Sequence, residues 1–234
     1  MKGPIPILAT IVVALLVPLK ATLVVASPIR DQIGKRSCSA SFEESCTANT
    51  GKIGRESCNA NLACYANSGR LGNKSCDADQ GCFQNRGSVQ RNSCNDTAAC
   101  ASNAGRIGSS SCNAIGACVD NDFATIRDHS CNGISACDEN TASIGRNSCN
   151  GVYACITNTT RIESNSCNGD EACNGEEADI APSVGRHSCN GADACFNNTA
   201  PVGRDSCNGD SACLNNVTPI GDGMCDGNNV CAKP

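Results

Sequence analysis

The dipeptide Ser-Cys returns along this chain at Ser37, Ser57, Ser75, Ser93, Ser111, Ser130, Ser148, Ser166, Ser188 and Ser206, most often eighteen residues apart, and a partial unit starts at Met224. No other feature restricts the fold as severely. A unit this short cannot hold two helices and their turns, and Asn-Gly and Ile-Gly punctuation breaks any 3.6-residue periodicity. A fixed short period marks units that bury apolar surface only by stacking on one another. The expected fold is all-β: a disulfide-stapled parallel β-solenoid, or β-helix, of about eleven 18-residue coils over residues 37–234.

Numbered from its Ser, the unit reads S-C-N-G-x-x-A-C-x-x-N-x-x-x-I-G-x-x. Position 15 is apolar throughout, as Ile53, Leu71, Val89, Ile107, Ile126, Ile144, Ile162, Val184, Val202 and Ile220, a mostly β-branched column suited to stacked strands. Position 11 is Asn67, Asn85, Asn103, Asn121, Asn140, Asn158, Asn198 and Asn216. Such a column reads either as an inward ladder of amide hydrogen bonds or as solvent-facing turn residues. The residue before the second cysteine is Ala or Gly from Ala63 to Ala212, which fits closely approaching backbones.

The chain has 22 Cys, no Trp and six Phe and Tyr together, too few bulky side chains for an ordinary core. So many cysteines mark a disulfide scaffold made in an oxidising compartment. Pairing within units joins Cys38 to Cys46, Cys58 to Cys64, Cys76 to Cys82, Cys94 to Cys100, Cys112 to Cys118 and Cys131 to Cys137. It continues with Cys149 to Cys155, Cys167 to Cys173, Cys189 to Cys195, Cys207 to Cys213 and Cys225 to Cys231. Pairing between coils is the alternative, since stacked strands lie about 4.8 Å apart, within disulfide reach. Eleven first-position cysteines, however, cannot pair among themselves without remainder. The five-residue spacer exceeds the usual zinc-ligand spacing, so neither metal nor cofactor is expected.

Residues 1–26 read as a signal peptide: Lys2, an apolar run, and the small-residue site Val24-Val25-Ala26. Residues 27–36 are either an N-terminal half-coil or a short pro-segment ending at Lys35-Arg36. The product is expected to be secreted and extracellular, with no membrane attachment after cleavage. Loss of Lys2 and Lys20 takes the formal charge from −5 to −7. An acidic surface without a basic stripe argues against nucleic acid or anionic lipid as partner. Of the sequons, Asn73, Asn95 and Asn197 are candidate glycosylation sites, whereas Asn158 and Asn216 escape if position 11 faces inward. Glu176, Glu177 and Asp179 gather on a four-residue insertion, which reads as a solvated loop before a calcium site.

Two resemblances arise at these residues. The S-C-N-G-x-x-A-C runs linked by Ile-Gly segments, over residues 37 to 231, resemble the cysteine-rich repeat arrays of secreted algal and marine microbial proteins. The Cys-x5-Cys unit, with a small polar residue on each side of its first cysteine, is similar to insect-type antifreeze β-solenoids. In those, Thr-Cys-Thr turns two threonines outward and the cysteine inward. That likeness implies a surface array of Ser130, Asn132, Ser148, Asn150, Ser166, Asn168, Ser188, Asn190, Ser206 and Asn208. The coils here are longer, the array lacks threonine methyl groups, and a following Gly signals a turn beside the supposed flat strand.

No Ser-His-Asp arrangement, phosphate loop or zinc signature occurs, and His129 and His187 lie three units apart, so catalysis is not expected. Position 9, which includes Tyr65, Phe83, Val119, Ile156, Phe196 and Leu214, forms either a broken apolar stripe for a partner or part of the core. The function expected is therefore a non-enzymatic structural or surface-interaction rod, about 50 Å long. Its partner would be an extracellular protein, a carbohydrate or an ice surface, with ice binding the leading alternative and a polysaccharide-active enzyme the third.

Overall fold

The computed structural model describes residues 32–38, 44–175 and 183–232; residues 1–26, expected to be a signal peptide, and Glu176, Glu177 and Asp179 lie outside them. Among the described residues the regular elements are four strands and no helix. These are β1 (Arg70–Leu71), β2 (Ser88–Val89), β3 (Arg106–Ile107) and β4 (Thr125–Ile126). They form one parallel sheet in sequence order, with Arg70 opposite Ser88, Ser88 opposite Arg106, and Arg106 opposite Thr125. Parallel bridges continue the same column from Ile126 through Ile144, Ile162, Val184 and Val202 to Ile220, and Ile33 bridges Ile53 below it. All of this fits a solenoid. Residues from Ile53 to Ile220 in the column are buried, so position 15 is the apolar spine.

The strands are short because each coil turns four times. In the coil from Ser148, the left-handed residues are Cys149 (φ 56°), Tyr153 (φ 56°), Thr157 (φ 53°) and Asn165 (φ 59°). The same positions recur along the stack, almost always on a residue other than glycine. Each costs about 1–2 kcal/mol relative to right-handed backbone. A left-handed corner reverses the alternation of an extended chain, which lets neighbours such as Ser148 and Cys149 both point inward. Backbone hydrogen bonds run to the coils on both sides: Cys149 N–H donates to Ser166 O at 3.0 Å, and Cys155 N–H to Ala136 O at 2.7 Å.

Glycine does a different job from the one its place after Asn suggests. The glycines of position 4 have no positive φ; Gly151 is there because a Cβ would collide with the backbone of Gly169 in the next coil. From Gly133 onward position 4 is a point of close stacking, whereas the coils before it carry Ala60, Ala78, Asp96 and Ala114 there, and the corners are left to other side chains.

Every described coil is stapled across its interior. The disulfides join Cys38–Cys46 and then each Cys-x5-Cys pair from Cys58–Cys64 to Cys225–Cys231. Of the two readings of position 11, the structure takes the inward one. Asn67, Asn85, Asn103, Asn121, Asn140 and Asn158 are fully buried. Each Nδ2 donates to Oδ1 of the coil before: Asn85 to Asn67 at 2.8 Å, Asn103 to Asn85 at 2.7 Å, Asn121 to Asn103 at 2.7 Å. Beyond the insertion the ladder resumes with Asn216 to Asn198 at 2.8 Å.

Candidate interaction faces

The Ser-Cys-Asn array does not face solvent as the antifreeze likeness requires. Ser130, Ser148, Ser166, Ser188 and Ser206 are 0 % exposed. The left-handed cysteine beside each serine turns it into the coil, where it closes a corner. Ser148 Oγ donates to Glu163 O at 2.8 Å and accepts from Ser166 N–H at 3.2 Å. The asparagines of the array are half-buried and spent on one another. Asn132 Nδ2 donates to Asn150 Oδ1 at 3.2 Å, and Asn150, Asn168 and Asn190 each donate to the next at 3.0 Å. Asn208 closes the series on Asp226 Oδ1 at 3.1 Å. The supposed surface array is thus an internal serine ladder beside a half-buried outer asparagine ladder, and the flat strand beneath it is a corner.

The sequons divide accordingly. Asn158 and Asn216 belong to the inner ladder and are buried. Asn73 and Asn95 are exposed and Asn197 is half-buried. Asn95 Nδ2 donates to Lys74 O at 3.1 Å, whereas Asn73 engages its Oδ1, accepting from Arg55 N–H at 2.9 Å.

Position 9 is neither core nor free surface: Tyr65, Phe83, Val119, Asp138, Ile156, Phe196 and Leu214 are all half-buried. Tyr65 and Phe83 stack with ring centroids 5.4 Å apart and an interplanar angle of 11°. Asp138 interrupts the stripe. Burial pushes its carboxyl up from 3.8 to about 6, with the charges of Glu139 and Asp120 adding to the rise. The folded chain therefore holds this proton after the unfolded chain has released it. Stability falls as pH climbs from about 3.8 to about 6, and the ionised carboxylate carries that penalty above the window. Half-exposure screens the effect to roughly 1 kcal/mol. Asp138→Asn should raise stability by about this amount at pH 7.5 and leave it unchanged at pH 3. Guanidinium unfolding with disulfides intact checks this; an equal gain at both pH values would refute it.

Rolling the chain into coils sorts its charges, and this corrects the expectation of a surface without a basic stripe. Every Lys and Arg from Lys35 to Arg204 falls between positions 12 and 18 of the repeat. None falls between positions 3 and 10, where Asp77, Asp79, Asp96, Asp120, Asp170 and Asp210 lie, although Glu56, Asp122, Asp128, Glu163, Asp205 and Asp222 share positions 12 to 18 with the bases. Formal charge hides this because the acids outnumber the bases by 23 to 18 over the whole chain. Residues eighteen apart become neighbours only once the coils stack.

The basic edge coincides with the outer side of the sheet. Positions 14 and 16 flank the inward apolar residue, so they point out together. Lys52, Arg70, Ser88, Gln90 and Arg91 line an open groove there, and Thr125, Arg127, Ser143, Arg161 and Arg186 line another on the same face. Arg146 meets Asp128 at 4.0 Å and Arg161 meets Glu163 at 3.6 Å, both as exposed pairs of small energetic weight. Among the described residues no carboxylate lies within ion-pair distance of Lys52, Arg70, Arg91, Arg106 or Arg127. The two histidines occupy position 18; His187 Nδ1 is 3.2 Å from Asp205 Oδ1, and His129 lies three coils away. Cys167, Cys173 and Cys189 bring their sulfurs within 4.8 Å of one another, but all three are in disulfides and offer no thiolate to a metal. Among the described residues no helix is long and apolar enough to cross a membrane.

Comparison with known proteins gives one finding. The family model described as Domain of unknown function (DUF7640) matches residues 24–133, 74–181 and 157–234, three overlapping stretches of the repeat array. No curated protein and no solved structure matches the chain.

Proposed function

Because the chain belongs to the family described as Domain of unknown function (DUF7640), we propose its role from the faces described above: a secreted, non-enzymatic rod of eleven coils that presents a regular lateral surface to an extracellular partner. The observation that carries this reading is the use made of polar side chains. Serine and asparagine columns are consumed in holding coil to coil, and no buried side-chain nitrogen or oxygen among the described residues lacks a hydrogen-bond partner. What remains for function is the periodic outer surface, the usual working part of a repeat array.

The disulfides support an oxidising destination. Secretion of the full chain from cultured eukaryotic cells tests the reading. Protein in the medium should begin at Ser27, carry no free thiol, and scatter X-rays as a rod about 50 Å long. Retention in the cell with residues 1–26 still attached, or a rounded scattering envelope, would overturn it.

A further inference from the structure

We propose that the outer side of the parallel sheet is a docking face for a linear anionic polysaccharide, lying along the stack with its acidic groups over the arginines. The inference rests on the surface-interaction reading above and supplies the partner's chemistry. In nine successive coils, from the one holding Lys52 to the one holding Arg204, positions 14 to 17 carry at least one Lys or Arg. Stacked coils rise about 4.8 Å each, close to the length of one pyranose ring. A polymer with acidic groups at intervals of one or two sugars would thus meet a cation at each interval.

The register adds hydroxyls between the charges. Along position 14, Arg70 faces Ser88, Ser88 faces Arg106, and Arg106 faces Thr125. Here Arg70 and Arg106 stand about two coils apart with the Ser88 hydroxyl between their guanidinium forks. Guanidinium groups bind carboxylate and sulfate in two-pronged fashion, and intervening hydroxyls suit sugar hydroxyls.

Nucleic acid fits less well. The stacked aromatic pair, Tyr65 and Phe83, sits at position 9, away from the basic face, so bases would find no platform there. The acidic residues of positions 3 to 10 also confine the positive potential to one edge, which suits a single narrow polyanion better than a duplex.

The test uses the oxidised full chain on immobilised dextran sulfate, polygalacturonate and neutral dextran, with single-stranded oligothymidylate as competitor. The parent protein should bind both acidic polysaccharides in a salt-sensitive manner and ignore neutral dextran. The quadruple variant Arg70→Gln, Arg91→Gln, Arg106→Gln, Arg127→Gln should bind about 10- to 100-fold more weakly. It should keep the parent's circular dichroism and non-reducing peptide map. Neutralising the acids of position 5 with Asp79→Asn, Asp170→Asn and Asp210→Asn should change affinity less than about threefold.

Failure to bind either acidic polysaccharide overturns the proposal, as does unchanged binding by the quadruple variant. Equal and opposite responses to the two sets of substitutions would show dependence on net charge alone and overturn it too. Displacement by oligothymidylate at matched charge would assign the face to nucleic acid. Salt-sensitive association of the protein with itself would assign it to a second copy, acidic edge against basic. Any of these leaves the secreted-rod reading standing, because that reading is decided separately by the N-terminus and the scattering length.

Discussion

Complete reduction and alkylation of the eleven disulfides should abolish the ordered β signature and the heat resistance of this protein together. The spine offers each coil one medium-sized apolar side chain, and the rest of the buried apolar surface is largely Ala and Cys. Against this stands the entropy of fixing about eighteen backbones per coil, at roughly 1–2 kcal/mol each. The first cysteine of each pair adds a left-handed backbone to that cost. A disulfide closing a seven-residue ring removes about 2.4 kcal/mol of unfolded-chain entropy and holds that corner shut. Because each coil touches only its neighbours, loss in the middle of the stack also deprives flanking coils of their partners. Circular dichroism and thermal melting before and after blocking check this. A reduced, alkylated chain that keeps both its spectrum and its melting temperature would refute the disulfide-dependent account of the fold.

The second large effect should come from one inner amide. Asn103 is 0 % exposed, donates to Asn85 Oδ1 at 2.7 Å and Gly105 O at 3.1 Å, and accepts from Asn121 Nδ2 at 2.7 Å. Leucine shares the branched outline of asparagine but is larger and makes none of these bonds, so overpacking adds to whatever the lost bonds cost. Asn103→Leu would strand the Asn121 amide and the Asn85 oxygen in a dry interior, at about 1–3 kcal/mol per unsatisfied group, or roughly 4 kcal/mol in all. Asn113→Leu removes an amide from the outer ladder, where Asn113 is half-buried and water replaces the lost bonds, so about 1 kcal/mol is expected. Guanidinium unfolding with disulfides intact compares the two. A loss below about 1 kcal/mol at Asn103 would mean that the ladder is an accessory to the stack and not part of what holds it.

The period, the apolar spine and the within-unit cysteine spacing were all readable along the chain. Each is a one-dimensional property: a stack repeats whatever one coil does, and a disulfide across a short loop closes between residues already near in sequence. The Ile-Gly segment before Ser37 follows the same repeat pattern, and within it Ile33 pairs with Ile53 of the next coil. The antifreeze comparison misled at Ser148 because it borrowed extended-strand alternation for a stretch whose cysteine is left-handed. Composition gives no warning of that conformation, since cysteine has no special tolerance for it and the glycines lie elsewhere.

The charge sorting shows the same boundary from the other side. Lys52, Arg70 and Arg91 lie about a coil length apart in the chain, with Glu56, Asp77 and Asp79 between them, so no long run of basic residues announces a face. They become one face only when each coil of about eighteen residues returns over the last. Short-range pattern therefore fixes what repeats and what is buried in the spine, because those follow from residues within one turn. The direction of a side chain at a corner, and its neighbours on the outside, depend on backbone handedness and coil register, which many weak contacts between distant residues set together.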